Sequence, residues 1–217
     1  MPSEVHDSAR RWAKRFDDPS MGSRGQATHD AAREGADILP TLVEILIGRA
    51  ELGHSFNATA RRGAVIAMRN LGETAAPAKD TLVAVLGDED AVLRLEAAAA
   101  LGAMGAKASA AVPMLAERLL RADVPGLDEA FELAKALANI GGENAVQGLL
   151  RALSGDASLH GQIAAISAIP QLGSGAIVAV PRLIELWRTS SNNRLRERCA
   201  AMLMRIDPTA ADRAGIR

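Results

Sequence analysis

Residues 91–122 read AVLRLEAAAALGAMGAKASAAVPMLAERLLRA. The stretch divides at Gly105 into two helices, with Met104 just before the glycine and Leu101 three residues further back. A glycine following the last apolar residue is the usual left-handed cap of a helix end, because glycine has no Cβ to clash there. Pro113 stands near the start of the second helix, where a missing N–H costs little.

Weaker copies flank this stretch on both sides. Gly72, Gly105, Gly141, Gly173 and Asp207 form a column with steps of 33, 36, 32 and 34 residues. Leu71, Met104, Ile140, Leu172 and Ile206 precede them, and Met68, Leu101, Leu137, Ile169 and Leu203 stand three further back. Both columns are wholly apolar, so each first helix is expected to bury the same face. In the second helices Pro40, Pro113 and Pro181 align, followed by Leu42, Leu115 and Leu183; Pro77 has a shifted start, and Val146–Leu149 is a copy without proline. Acidic or small-residue turns at 87–90, 123–126, 155–158 and 190–193 separate the repeats.

Ahead of the repeats, Ser3 is the expected cap of a first helix that buries Val5, Ala9, Trp12, Ala13 and Phe16. Arg10, Arg11, Lys14 and Arg15 lie off that stripe and read as a solvated face, and Asp17–Ser20 ends the helix. Residues 21–35 carry Gly22, Gly25 and Gly35 and read as an irregular segment. Residues 1–35 are therefore expected to be a capping helix plus irregular chain, and 36–217 one continuous repeat array. Asn57-Ala58-Thr59 matches a glycosylation sequon but reads as a helix-capping segment.

Composition agrees. Hydrophobic residues make up 48% of the chain but aromatics only 2%, with no tyrosine. Ala, Leu, Val and Ile at that density suit packed helices better than sheets. The net charge of −1 excludes a strong global field selecting nucleic acid or an anionic membrane. A single Cys199 excludes an internal disulfide and fits a reducing compartment. The N-terminus lacks a signal-peptide core, and no run of about 18 consecutive apolar residues could span a bilayer. A cytoplasmic location follows as an expectation.

Self-similarity at 32 to 36 residues implies a solenoid of stacked helical pairs, each unable to bury its apolar face alone. The absence of tyrosine and of a Thr-Pro-Leu-His turn speaks against tetratricopeptide and ankyrin repeats. Arg94, Glu96, Ala97, Ala98, Ala100, Leu101, Gly102, Met104 and Gly105, then Ala111, Val112, Pro113, Leu115 and Leu119, carry what remains. The chain resembles HEAT-type repeats over about residues 36–207, in the short form also found in phycobilisome lyases. That resemblance implies an all-α, right-handed α-α superhelix of about five helical pairs. It also implies a kink near Gly102 and Pro170, and an arginine early in each first helix. Arg61, Arg94 and Arg196 share that position, and Ala130 and Gln162 are expected to break the ladder.

No catalytic constellation, metal-ligand spacing or cofactor motif is present. His6, His29, His54 and His160 are far apart and read as solvated histidines, and Cys199 as a small core residue. Glu89 and Asp90 read as caps. In HEAT-like solenoids the second helices line the concave face, which places Glu44, Glu117, Arg151 and Glu185 in one exposed column. Arg118, Arg121, Arg182 and Arg188 stand near it, with Trp187 close by. This is the candidate surface for a protein partner of a non-enzymatic scaffold or adaptor, an inhibitor or immunity role included. Alternatives are a bilin lyase or chaperone subunit, and nucleic-acid binding through Arg188, Arg194, Arg196, Arg198 and Arg205. The scarcity of aromatic stacking residues speaks against the last.

Overall fold

Alternating short helices and tight turns account for nearly all of the computed structural model, which describes residues 2–48, 55–122, 128–154 and 156–216. Among the described residues the chain is all-α, of the α-α superhelix class, without strands. The expected turn at 123–126, residue 155, His54 and most of the loop after 48 lie outside them. One compact unit runs to Ala111 and a second begins at Val112.

In the first unit α1 (Pro2–Phe16) already includes Ser3, so the helix starts one residue before its expected cap. Ala9, Trp12, Ala13 and Phe16 are buried, Val5 is half-buried, and the four basic residues face solvent. Arg15 stacks over Trp12 at 4.4 Å and pairs with Asp30. The segment expected to be irregular is instead a helix, α2 (Met21–Arg33). Ser20 caps it by accepting from the Ser23 amide. Gly22 and Gly25 fall on its exposed side while Ala27, Thr28 and Ala31 are buried, so the glycines weaken the helix without interrupting its packed face.

A 3₁₀ turn (Gly35–Ile38) leads into α3 (Leu39–Ile47). Asn57 caps α4 (Ala58–Leu71) by accepting from the Ala60 amide, as a capping segment should. A 3₁₀ segment (Gly72–Ala78), α5 (Lys79–Val85), α6 (Ala91–Ala103) and a further 3₁₀ segment (Gly105–Ala111) complete the unit.

The second unit contains α7 (Val112–Arg121), α8 (Glu129–Ile140), α9 (Gly142–Ala152) and α10 (Leu159–Ala168). A 3₁₀ stretch (Ile169–Ala179), α11 (Val180–Thr189), α12 (Asn193–Ile206) and α13 (Pro208–Ala214) follow. Pro170 does not merely bend α10: the α-helix stops at Ala168 and 3₁₀ geometry takes over. Gly102, by contrast, stays inside α6. Within residues 159–189 the most apolar 18-residue window reaches a mean hydropathy of 1.8 and is half buried in the protein. The turn at Gly173 divides this stretch into two 10-residue helices, each shorter than the roughly 20 residues a span requires.

The deeper apolar column holds completely and gains a member. Ala31, Met68, Leu101, Leu137, Ile169 and Leu203 are all at most 1% exposed. The column beside the turn is looser: Met104 and Ile140 are buried, but Leu71, Leu172 and Ile206 only half so. Gly35 takes the turn position ahead of α3, so the repeat begins with α2.

Gly35, Gly72, Gly105, Gly141 and Gly173 all have positive φ, from 55° to 68°. Three of them are not in the ordinary left-handed helical region, however. Gly72, Gly141 and Gly173 have ψ of −129°, −165° and −126°, a conformation essentially reserved for glycine. Asp207 departs from the column at φ −151° and instead caps α13, accepting from the Ala210 amide.

The arginine ladder extends further than expected. Arg24 donates to the carbonyls of Asp18 and Pro19 at 2.7 and 3.2 Å, and Arg61 to that of Leu46 at 3.1 Å. Arg94 donates to Asp88 and Glu89 carbonyls at 2.9 and 3.0 Å. Gln162 does not break the series: its Nε2 donates to the carbonyls of Ser154 and Ala157 at 2.8 and 3.4 Å. Each side chain satisfies carbonyls of the turn, or for Arg61 of the helix end, before its own helix, which folding would otherwise strip of water. Ala130 is a true gap, and beside it Glu129, only 2% exposed, accepts from Arg118 at 3.2 and 2.7 Å. Arg196 turns to Asn193.

Candidate protein-binding surface

Helices α7, α9 and α11 are amphipathic, burying Leu115 and Leu119, Leu149, and Leu183 and Leu186. That burial turns the intervening charged positions outward. Glu117 is half-exposed and pairs with exposed Arg121 one helical turn on; Glu185 pairs with Arg182. Arg151 and Arg188 are exposed and make no ion pair among the described residues.

Three of the eight expected positions differ. Glu44 is not an exposed column residue: it is 7% exposed, lies on α3 in the other unit, and meets His6 Nδ1 at 3.2 Å. The docking of α1 on α3 covers it, which the α3 periodicity could not reveal. For the same reason His6 is not a solvated histidine; it also faces the Phe56 ring at 6.5 Å. Arg118 is half-buried by its two hydrogen bonds to Glu129. Arg182 donates to the Leu153 carbonyl at 3.2 Å and is partly committed to the fold. The exposed set is therefore Glu117, Arg121, Arg151, Glu185 and Arg188, with Trp187 half-buried beside them.

Elsewhere the chemistry is structural. Asp90 caps α6, accepting from the Val92 and Leu93 amides, and takes two hydrogen bonds from Arg62, each 2.9 Å. Asp88 accepts from Arg61 and the Asp90 amide. Burial raises both carboxyls, but the arginines and amides outweigh it and hold them below the ordinary 3.8. Glu89 is exposed and caps nothing. Cys199 is fully buried, and desolvation pushes its thiol up to about 11. Among the described residues no group of three or more His, Cys, Asp or Glu could hold a metal ion.

One feature of the first unit escaped sequence reasoning. A groove of about 560 Å³ lies among α1, α2 and α4, with Phe16, Met21 and Ile66 as apolar lining and Arg24 and Arg62 on its walls. Gly25 of α2 and Gly63 of α4 line it; a Cβ on Gly25 would meet nothing within 4 Å, whereas Phe16 packs directly against Gly63.

The family of HEAT repeats matches residues 39–134, and that of the PBS lyase HEAT-like repeat matches residues 130–155. No curated protein matches the chain by sequence. Among solved structures, an engineered protein (target OR329) is similar at 21% identity and a TM-score of 0.52, covering 93% of this chain and 97% of that one. A second engineered protein (target OR497) is similar at 23% identity and a TM-score of 0.52, covering 95% and 60% respectively. At these identities the likeness concerns the fold.

Proposed function

The chain belongs to the HEAT-repeat family, and we propose that it is a non-enzymatic scaffold that binds a protein partner through the second helices α7, α9 and α11. The observation that carries this reading is the exposed set on those helices. Glu117 and Glu185 are already neutralised by Arg121 and Arg182, while Arg151 and Arg188 remain available for a partner's carboxylates. An adaptor, inhibitor or immunity role in the cytoplasm fits this surface. Site-specific photocrosslinking in the source cell tests it. A probe at Arg151 or Arg188 should give a discrete protein adduct, and one at exposed Asn139 on α8 should not. Equal labelling from all three positions, or no adduct, would overturn the reading.

A second reading, a bilin lyase or chaperone subunit, rests on the match of residues 130–155 to the PBS lyase HEAT-like repeat. Incubating the chain with a bilin and an apo-phycobiliprotein tests it: accelerated attachment supports it, and an unchanged rate removes it.

A further inference from the structure

Helix α12 buries Leu195, Cys199 and Leu203 and leaves its opposite side in solvent. Arg194, Arg198 and Arg205 lie on that side within about 40° of arc, along roughly 16 Å of helix. All three are exposed, and among the described residues no carboxylate pairs with them. Arg196 is exposed as well, and exposed Glu197 is the sole acidic residue of the helix.

The position of Arg198 holds a carboxylate in two other first helices. Nine residues before the turn, α6 has Glu96, which pairs with Arg69 of α4, and α8 has Glu132, which pairs with Lys135. The charge there is reversed in α12, and among the described residues no carboxylate pairs with Arg198.

Beside the stripe is a groove of about 440 Å³ lined by Pro170, Ala176, Ile177, Arg205 and Ile206 among others. Ile177 is 51% exposed and the adjacent Val178 49%, high values for aliphatic side chains. Neither α12 nor the groove carries an aromatic side chain that could stack on a base.

We propose that α12 and this groove form a second docking surface, separate from α7, α9 and α11, that takes an acidic protein segment with an aliphatic anchor. The anchor seats against Ile177 and Ile206, and the segment's carboxylates lie along Arg205, Arg198 and Arg194. Charge complementarity sets its encounter and orientation, and the apolar contact contributes retention.

A displayed library of random dodecapeptides panned on the full chain at low salt tests the proposal. Selected peptides should be rich in Asp and Glu with at least one Leu, Ile or Val. By fluorescence anisotropy, R194E/R198E/R205E should weaken them about tenfold or more, and Ile177→Asp by about fivefold, as expected for rim charges around an apolar anchor. R194K/R198K/R205K should keep most of the affinity, and circular dichroism checks that each variant is folded. If the triple reversal unfolds, the same loss should appear with R198E alone and on raising salt. Peptides without acidic enrichment, or affinities untouched by these variants, overturn the proposal. So does a short DNA duplex that displaces the peptides at a lower concentration than they need themselves, which would make the stripe a phosphate-binding surface.

Discussion

Gln162 donates its side-chain amide to the carbonyl of Ser154 at 2.8 Å, doing with a neutral group what Arg94 does with a charged one in α6. At 8% exposure a neutral donor avoids burying a charge. Gln162→Leu keeps the volume and removes the donor, leaving turn carbonyls unsatisfied. It should cost about 1–3 kcal/mol in urea unfolding. A loss within about 0.5 kcal/mol, the surface range, would show that water replaces the bond.

Two glycines should respond with opposite sign to the same substitution. A Cβ on Gly161 would sit 2.4 Å from the Leu119 carbonyl oxygen, where α10 approaches the end of α7. Backbone cannot yield cheaply, so Gly161→Ala should destabilise by about 1–3 kcal/mol. Gly25 has nothing within 4 Å, and Gly25→Ala should stabilise by about 0.5–1 kcal/mol through helix propensity alone. Thermal melts of the two variants decide it.

Gly141, at φ 68° and ψ −165°, tests the turn geometry. In an ordinary left-handed cap asparagine is tolerated better than alanine. Here Gly141→Asn and Gly141→Ala should be about equally costly, roughly 1–3 kcal/mol each. A clear advantage for asparagine would mean that the turn relaxes toward the common cap.

Asp88 and Asp90 set an acid response. Their carboxyls titrate lower in the folded chain than the ordinary 3.8. A depressed folded value contributes stability that is full above the unfolded pKa and fades as pH falls through the folded one. The loss therefore belongs below about pH 4. In urea titrations D88N/D90N should be less stable than the parent at neutral pH and lose less between there and pH 3.

Cys199 should be inert while the chain is folded. Fully buried, with its thiol pushed up to about 11, it presents almost no thiolate at pH 8. Ellman's reagent should react with it only after unfolding in urea, and rapid reaction of the native protein would place α12 in an opening equilibrium.

The repeat was legible because its signals are local: a turn glycine and an apolar residue four positions before it recur wherever a first helix must end and pack. The first copy was not, because Gly22 and Gly25 dilute the helical pattern of α2 and Ala31 stands where the other copies carry larger side chains. The candidate surface was legible in part. Periodicity says which side of a helix faces out: Arg151 and Glu185 do face solvent, and Glu117 is half-exposed. It does not say what later covers that side, as α1 covers Glu44, or which arginines the fold itself consumes, as Glu129 and the Leu153 carbonyl engage Arg118 and Arg182.

Asp90 touches both the first amides of α6 and the guanidinium of Arg62 on α4. One carboxylate thus belongs to two helices at once. Unwinding the first turn of α6 removes the acceptor that holds Arg62, and displacing α4 uncaps α6. Stability in a repeat array is a sum of unit terms and neighbour terms, and here a neighbour term and a cap share one carboxylate, with Oδ1 serving both. The protection of the Val92 and Leu93 amides against hydrogen exchange is therefore expected to depend on the helix next door as well as on their own, and Arg62→Ala should lower it.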